Sequence, residues 1–220
     1  EIFGEYCFPG EPVHKEKITF QDLLEYENVD FQGFRGDIYV KEAVIPEGAS
    51  IIPKSQFFGC RSLEKVCLPE SVSVIEDYAF ADCNVLKVWE SMEKLSLKSV
   101  GISAFENCYA LEFISLPDSL TVIEGAAFAD CVSVNKLIFS DTSLLNKIGD
   151  HAFRGCRNLK EVYLPDSVEY VGISAFRDCV SLEQISVSEK IKDQPGIAEL
   201  EKNCPNARIR FREVNSVEKE

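Results

Sequence analysis

The chain has 220 residues, 45% of them hydrophobic and 27% charged with the two classes interspersed, a balance that excludes a disordered tail and allows one domain or two small ones. Its 37 acidic against 23 basic side chains give a formal net charge of −14, which on average repels a nucleic-acid backbone or an anionic membrane surface. No apolar run approaches the roughly 18 residues of a membrane span, so no membrane insertion is expected.

Residues 1–36 show no repeat and read as an N-terminal cap. The chain opens at Glu1 without a methionine or a charged-then-apolar leader, which leaves either a removed targeting segment or a cut from a longer chain. Thr19-Phe-Gln-Asp22, ahead of Leu23 and Leu24, forms a weak capping-box pattern and suggests a short amphipathic helix over Phe20 to Glu27. Cys7 and His14 are a conceivable metal pair, but no CxxC or HExxH spacing supports it.

From residue 37 to 211 the sequence repeats. Cys60, Cys83, Cys108, Cys131, Cys156, Cys179 and Cys204 are separated by 23, 25, 23, 25, 23 and 25 residues. A period this strict places each thiol at the same point of successive coils, which predicts a ladder of reduced cysteines. Three residues after each of the first six stand Leu63, Leu86, Leu111, Val134, Leu159 and Leu182. Val66, Trp89, Ile114, Leu137, Val162 and Ile185 occupy the sixth position, and Leu68, Leu116, Phe139, Leu164 and Val187 the eighth, where Ser91 is the exception. Apolar residues two apart predict a short strand with one face buried. Pro69, Pro117 and Pro165 end that strand, and the same segment occurs once earlier as Val40 to Pro46.

A second block precedes each cysteine: Ile75 to Phe80, Val100 to Phe105, Ile123 to Phe128, Ile148 to Phe153 and Val171 to Phe176, with Phe57 in the matching place of the first coil. Alanine lies four and phenylalanine three residues before the cysteine, which predicts a single helical turn with all three facing inward. No repeat can bury its apolar face alone, so the coils must stack; about seven of them at roughly 4.8 Å give a ridge about 35 Å long.

Every second unit has two extra residues between strand and second block and lacks the proline, so a bulge is expected there. The last coil degenerates from about residue 190. Pro195, Gly196 and Ile197-Ala-Glu-Leu-Glu-Lys predict a helix in a C-terminal cap, and the segment from Cys204 to Phe211 predicts an edge strand whose arginines discourage further pairing. Residues 212–220 are expected to fray.

The unit Cys-x-x-Leu-x-x-Ile-x-Leu-Pro followed by Ile-Gly-x-x-Ala-Phe-x-x-Cys resembles the BspA-like leucine-rich repeats of bacterial surface and secreted proteins and of some protozoan surface proteins. The resemblance covers about residues 37 to 211 in six units in phase. It implies an α/β repeat solenoid, a right-handed leucine-rich-repeat stack with short parallel strands on the concave face, and a role in adhesion or protein interaction. It implies no catalytic residues.

The residues themselves offer little chemistry. His151 shares its coil position with tyrosine, serine and alanine, which reads as a solvated turn residue. Gly101, Gly149 and Gly172 recur with the repeat and call for no more than a tight turn. Glu76-Asp77 reads as solvated charge on a convex turn. No metal or cofactor site is expected, and no catalytic residue is assigned. One surface feature remains. If positions 3, 6 and 8 face in, positions 5 and 7 face out, which sets Val88, Phe113, Ile138 and Tyr163 diagonally across the middle coils, rimmed by Lys65, Glu90, Lys136 and Glu161. That is the composition of a contact patch. The expected function is a non-catalytic, monomeric binding or adhesion module, secreted or at the cell surface, holding a protein or glycan partner. The alternative is a cytoplasmic scaffold or regulatory repeat domain, favoured by nine apparently unpaired cysteines.

Overall fold

The computed structural model describes residues 16–18, 34–90 and 95–213, the side chains of residues 18 and 88–90 excepted. The expected helix over Phe20 to Glu27, the Cys7 and His14 pair and residues 214–220 lie outside these. The chain winds into a stack of coils, most of them contributing two short strands. In chain order the strands are β1 (Lys17–Ile18), β2 (Glu42–Val44), β3 (Ile51–Ile52), β4 (Lys65–Cys67), β5 (Val74–Ile75), β6 (Val88–Glu90), β7 (Ser99–Val100), β8 (Phe113–Ser115), β9 (Val122–Ile123), β10 (Lys136–Ile138), β11 (Lys147–Ile148), β12 (Glu161–Tyr163), β13 (Tyr170–Val171), β14 (Gln184–Ser188) and β15 (Arg208–Arg212).

All pairings are between successive coils and parallel. The strands after the cysteines form one row in two sheets, β1-β2-β4-β6 and β8-β10-β12-β14-β15, and the shorter strands form a six-stranded sheet on the other side, β3 to β13. The first row matches the two-residue alternation in the sequence: Val66, Ile114, Leu137, Val162 and Ile185 are buried while the residue before each is exposed or half-buried. Repeating contacts begin ahead of residue 37. Lys17 and Ile18 pair with Glu42 and Ala43, and Phe34 stacks on Phe57.

Between the two strand rows lies one continuous core. Seven phenylalanine rings, from Phe34 through Phe57, Phe80, Phe105, Phe128 and Phe153 to Phe176, stack with centroids 5.1 to 5.6 Å apart and planes within 16° of parallel. Each coil supplies one ring, so no coil buries its own and the neighbours complete it.

The second block is not a helical turn. Two residues per coil, four apart, take left-handed φ: Tyr78 and Asp82, Ser103 and Asn107, Ala126 and Asp130, His151 and Gly155, Ser174 and Asp178. That geometry interrupts a helix and turns alternate N–H groups outward to the next coil. Tyr78, Phe80 and Asp82 donate to the carbonyls of Ile102, Ala104 and Glu106 at 2.8 to 2.9 Å, while Ala79, Ala81 and Cys83 close local turns three residues back. The second left-handed site holds Asp, Asn or Gly in every coil, the residues for which that conformation costs least. Alanine, phenylalanine and cysteine still face inward, as the spacing predicts, but the inter-coil ladder and not a helix holds them there.

The extra residues of the longer units emerge as a turn at Ser140 to Thr142 and as a 3-10 turn at Glu189–Ile191. The expected C-terminal helix forms as two single turns, α1 (Pro195–Ala198) and α2 (Leu200–Asn203), hinged at Glu199, whose carboxylate accepts from the Ser174 N–H and the Asn203 amide at 3.1 and 3.2 Å. The edge strand β15 pairs with β14 along its whole length. Its last residue, Arg212, reaches back to the Leu164 carbonyl at 2.6 Å and the Asp166 carboxylate at 2.7 Å. That clamps the final strand across three coils.

Candidate functional site

Three repeated features that carry candidate chemistry have structural explanations. Each ladder thiol is buried and donates to the carbonyl of the phenylalanine in the preceding coil, from Cys60 to Phe34 at 2.9 Å through Cys131 to Phe105 at 3.1 Å to Cys204 to Phe176 at 3.1 Å. Burial pushes these thiols up from their ordinary range, Cys204 to about 11 and the deeper ones well beyond, so they are poor nucleophiles at neutral pH.

Gly101, Gly149 and Gly172 are not turn glycines. None has positive φ; instead the preceding coil lies against them, and a Cβ on Gly149 would stand 2.6 Å from the Gly125 nitrogen and 2.7 Å from the Glu124 carbonyl carbon. Glu76 and Asp77 are not simply solvated either. Glu76 accepts from the Lys54 N–H and Asp77 from the Ile102 N–H, each at 2.8 Å, which ties one coil to its neighbours on both sides. These two acids border a shallow cleft of about 350 Å³, and both are occupied by those bonds.

His151 departs from expectation too. It is half-buried, and its Nδ1 is shielded without a hydrogen-bond partner. Among the described residues no group of three or more His, Cys, Asp or Glu side chains is placed to hold a metal, and no helix is long and apolar enough to cross a membrane.

The outward face of the first strand row is where exposed apolar side chains meet. In the second of its two sheets, Phe113 is 44% and Tyr163 50% exposed, and half-buried Ile138 lies on the strand between them. Lys136 is in register with Phe113 on one side and Glu161 on the other, so those three share a level of the sheet. The Tyr163 hydroxyl accepts from the Gln184 amide at 2.9 Å and lies 3.4 Å from the Glu161 carboxylate, which fixes the ring on the face.

Lys65, Val88 and Glu90 belong to the first sheet, where Lys65 pairs with Val88. No ladder joins β6 to β8 among the described residues. The structure therefore gathers Phe113, Lys136, Ile138, Glu161 and Tyr163, and leaves Lys65, Val88 and Glu90 on the neighbouring sheet. Sequence reasoning expected the arginines of β15 only to discourage further pairing and did not place them on this face. Arg208 and Arg210 follow Gln184 and Ser186 in register and extend the same face. Their signal was the same alternation, seen in Arg-Ile-Arg-Phe-Arg, once the last strand is admitted to the row. It also missed the serines after the strand prolines. Ser71, Ser119 and Ser167 recur every 48 residues, and each hydroxyl donates to a carbonyl of the preceding coil at 2.8 Å.

A family described as "BspA type Leucine rich repeat region" matches in six copies, over residues 1–134 and 91–198. Among solved structures, a leucine-rich repeat protein from Bacteroides ovatus is similar at 22% identity and a TM-score of 0.58, over 84% of this chain and 64% of that one. A Treponema pallidum leucine-rich repeat protein aligns at 27% identity and a TM-score of 0.50, over 79% of this chain and 70% of its own. The pneumococcal vaccine antigen PcpA aligns at 26% identity and a TM-score of 0.59, over 68% of this chain. The chain spans 64% of the Bacteroides protein and 41% of the pneumococcal one. No curated protein matches it.

Proposed function

Because this chain belongs to the BspA type leucine-rich repeat family, we propose that it is a non-catalytic binding or adhesion module, acting at a cell surface or after secretion, that holds a protein or glycan on the outward face of its first strand row. The observation that carries this reading is the exposure of Phe113 and Tyr163 two coils apart on one sheet, with Ile138 on the strand between them. Aromatic side chains held rigidly on a face give contact area at low entropic cost, the makeup of an interface centre. In this reading the stack is right-handed and this face concave, and the segment from about residue 190 closes its C-terminal end.

Surface placement draws on the family and on the description of the pneumococcal neighbour as a vaccine antigen. Seven of the nine cysteines are ladder thiols and weigh little for a reducing compartment. A ladder thiol buried in the core and bonded to a carbonyl is shielded from oxidants wherever the protein resides.

The test is an array of purified proteins and oligosaccharides probed with the native chain and with Phe113→Asp combined with Tyr163→Asp. The double variant should keep its circular dichroism spectrum and lose at least tenfold in affinity for every retained partner. Undiminished binding removes this face from consideration.

A further inference from the structure

The charges on the strand row are not distributed evenly. In the first sheet and the residues just before its strands, lysines and glutamates alternate from coil to coil and satisfy one another: Lys17 with Glu42 at 2.9 Å, Lys41 with Glu16 at 2.7 Å and Lys87 with Glu64 at 3.4 Å. In the second sheet Lys136 and Glu161 still stand side by side in register, but no ion pair joins them among the described residues. Phe113 and Ile138 stand on its first strands, and Lys136, Arg208 and Arg210 are exposed with no ion pair among the described residues. Arg212, beside them on β15, is the one arginine of that strand engaged, with Asp166. A chain of net charge −14 thus presents unneutralised cations beside its exposed aromatics.

The face is polarised. Phe113, Lys136, Glu161, Gln184 and Arg208 are in register across five strands. Four inter-strand steps make that line about 19 Å long, the length of about six residues of extended polypeptide. Its near end is apolar and its far end cationic. The strand between the two aromatics offers Ile138, in register with buried Ser115, and Lys136, in register with Phe113. Phe113, Ile138 and Tyr163 together offer an apolar area that the hydrophobic side chains of a polypeptide can cover.

Resting on the binding-face reading above, we propose that the partner is an acidic polypeptide segment lying extended across the second sheet, with apolar side chains over Phe113, Ile138 and Tyr163 and carboxylates over Arg208 and Arg210. Bidentate guanidinium–carboxylate contacts select acids at one end, and the aromatic end sets the direction of the segment.

The test uses three synthetic octapeptides, a Phe-Leu-Val tripeptide followed by five glutamates, five glutamines or five lysines, titrated calorimetrically against the native chain. The glutamate peptide should bind at least tenfold tighter than the glutamine one, with an advantage that shrinks as salt rises, and the lysine peptide should be weakest. Arg208→Glu with Arg210→Glu, at two exposed positions whose side chains make no ion pair among the described residues, should abolish the glutamate preference. Equal affinity for the three peptides, or a preference unchanged by that variant, overturns the proposal. So does tighter binding of a heparin hexasaccharide than of the glutamate peptide, which would make the anionic partner a glycan. The array partners test the face itself: if Phe113→Asp with Tyr163→Asp abolishes their binding while the three peptides bind alike, only the acidic segment falls.

Discussion

Cutting Phe128 to alanine should destabilise the chain by about 4 kcal/mol. The ring is fully buried and lies 5.2 Å from Phe105 and 5.5 Å from Phe153. Losing its apolar surface removes about 2 kcal/mol of transfer free energy. A residual hole of roughly 90 Å³ adds about another 2 kcal/mol at about 24 cal/mol per Å³. The flanking rings cannot close the hole, because the backbone on both sides is pinned. Phe105 N–H donates to Ala127 at 2.7 Å and Phe128 N–H to Ala152 at 2.8 Å, so neither coil moves without breaking the ladder. The position is central, and in a stack stabilised by nearest neighbours a weakened middle separates the two halves. Urea unfolding followed by far-ultraviolet circular dichroism measures the loss, and a lower slope or a second transition would report that separation. A loss under about 1.5 kcal/mol with an unchanged slope would refute the claim that the ring column is the core which cannot relax.

Two further outcomes follow from the interior. The ladder thiols are protonated in the folded chain and their ionisation is pushed up by burial, whereas unfolded thiols ionise near pH 8.5. Their stabilisation is therefore complete below about pH 8.5 and declines as pH rises, by about 2 kcal/mol per deep thiol at pH 10. Cys131→Ala should cost about 1–3 kcal/mol at pH 7, since the Phe105 carbonyl loses its donor, but should then lose about 2 kcal/mol less than the native chain between pH 7 and pH 10. An identical alkaline loss in both would mean that the thiol is not held neutral by burial. Gly149→Ala should destabilise by about 1–3 kcal/mol, because its Cβ would press on the Gly125 and Glu124 backbone at 2.6 and 2.7 Å, whereas Gly125→Ala, whose nearest contact is Asp150 O at 3.3 Å, should cost clearly less. Thermal melts of the two variants side by side decide it, and equal melting temperatures would restore the turn explanation.

The periodic cysteines, phenylalanines and strand leucines determined by themselves that the chain stacks, which side chains line the core and which alternate outward. A one-dimensional repeat makes each inward position recur at a fixed interval, so periodicity reads directly as geometry. Phe113, Ile138 and Tyr163 were legible on the outer face for the same reason. What the interval does not carry is the contact between coils. Only the tertiary structure revealed that the second block is a left-handed turn ladder, because inward-facing residues three and four apart fit a helical turn equally well. It alone showed that Gly149 is small to admit the backbone of the preceding coil, that Glu76 and Asp77 accept N–H groups from neighbouring coils, and that β6 and β8 part the strand row. The cationic end of the face, Arg208 and Arg210, likewise emerged only when β15 was seen to pair along β14. Each of these depends on which backbone atoms meet 22 to 25 residues apart, and a side-chain pattern along one strand leaves that open.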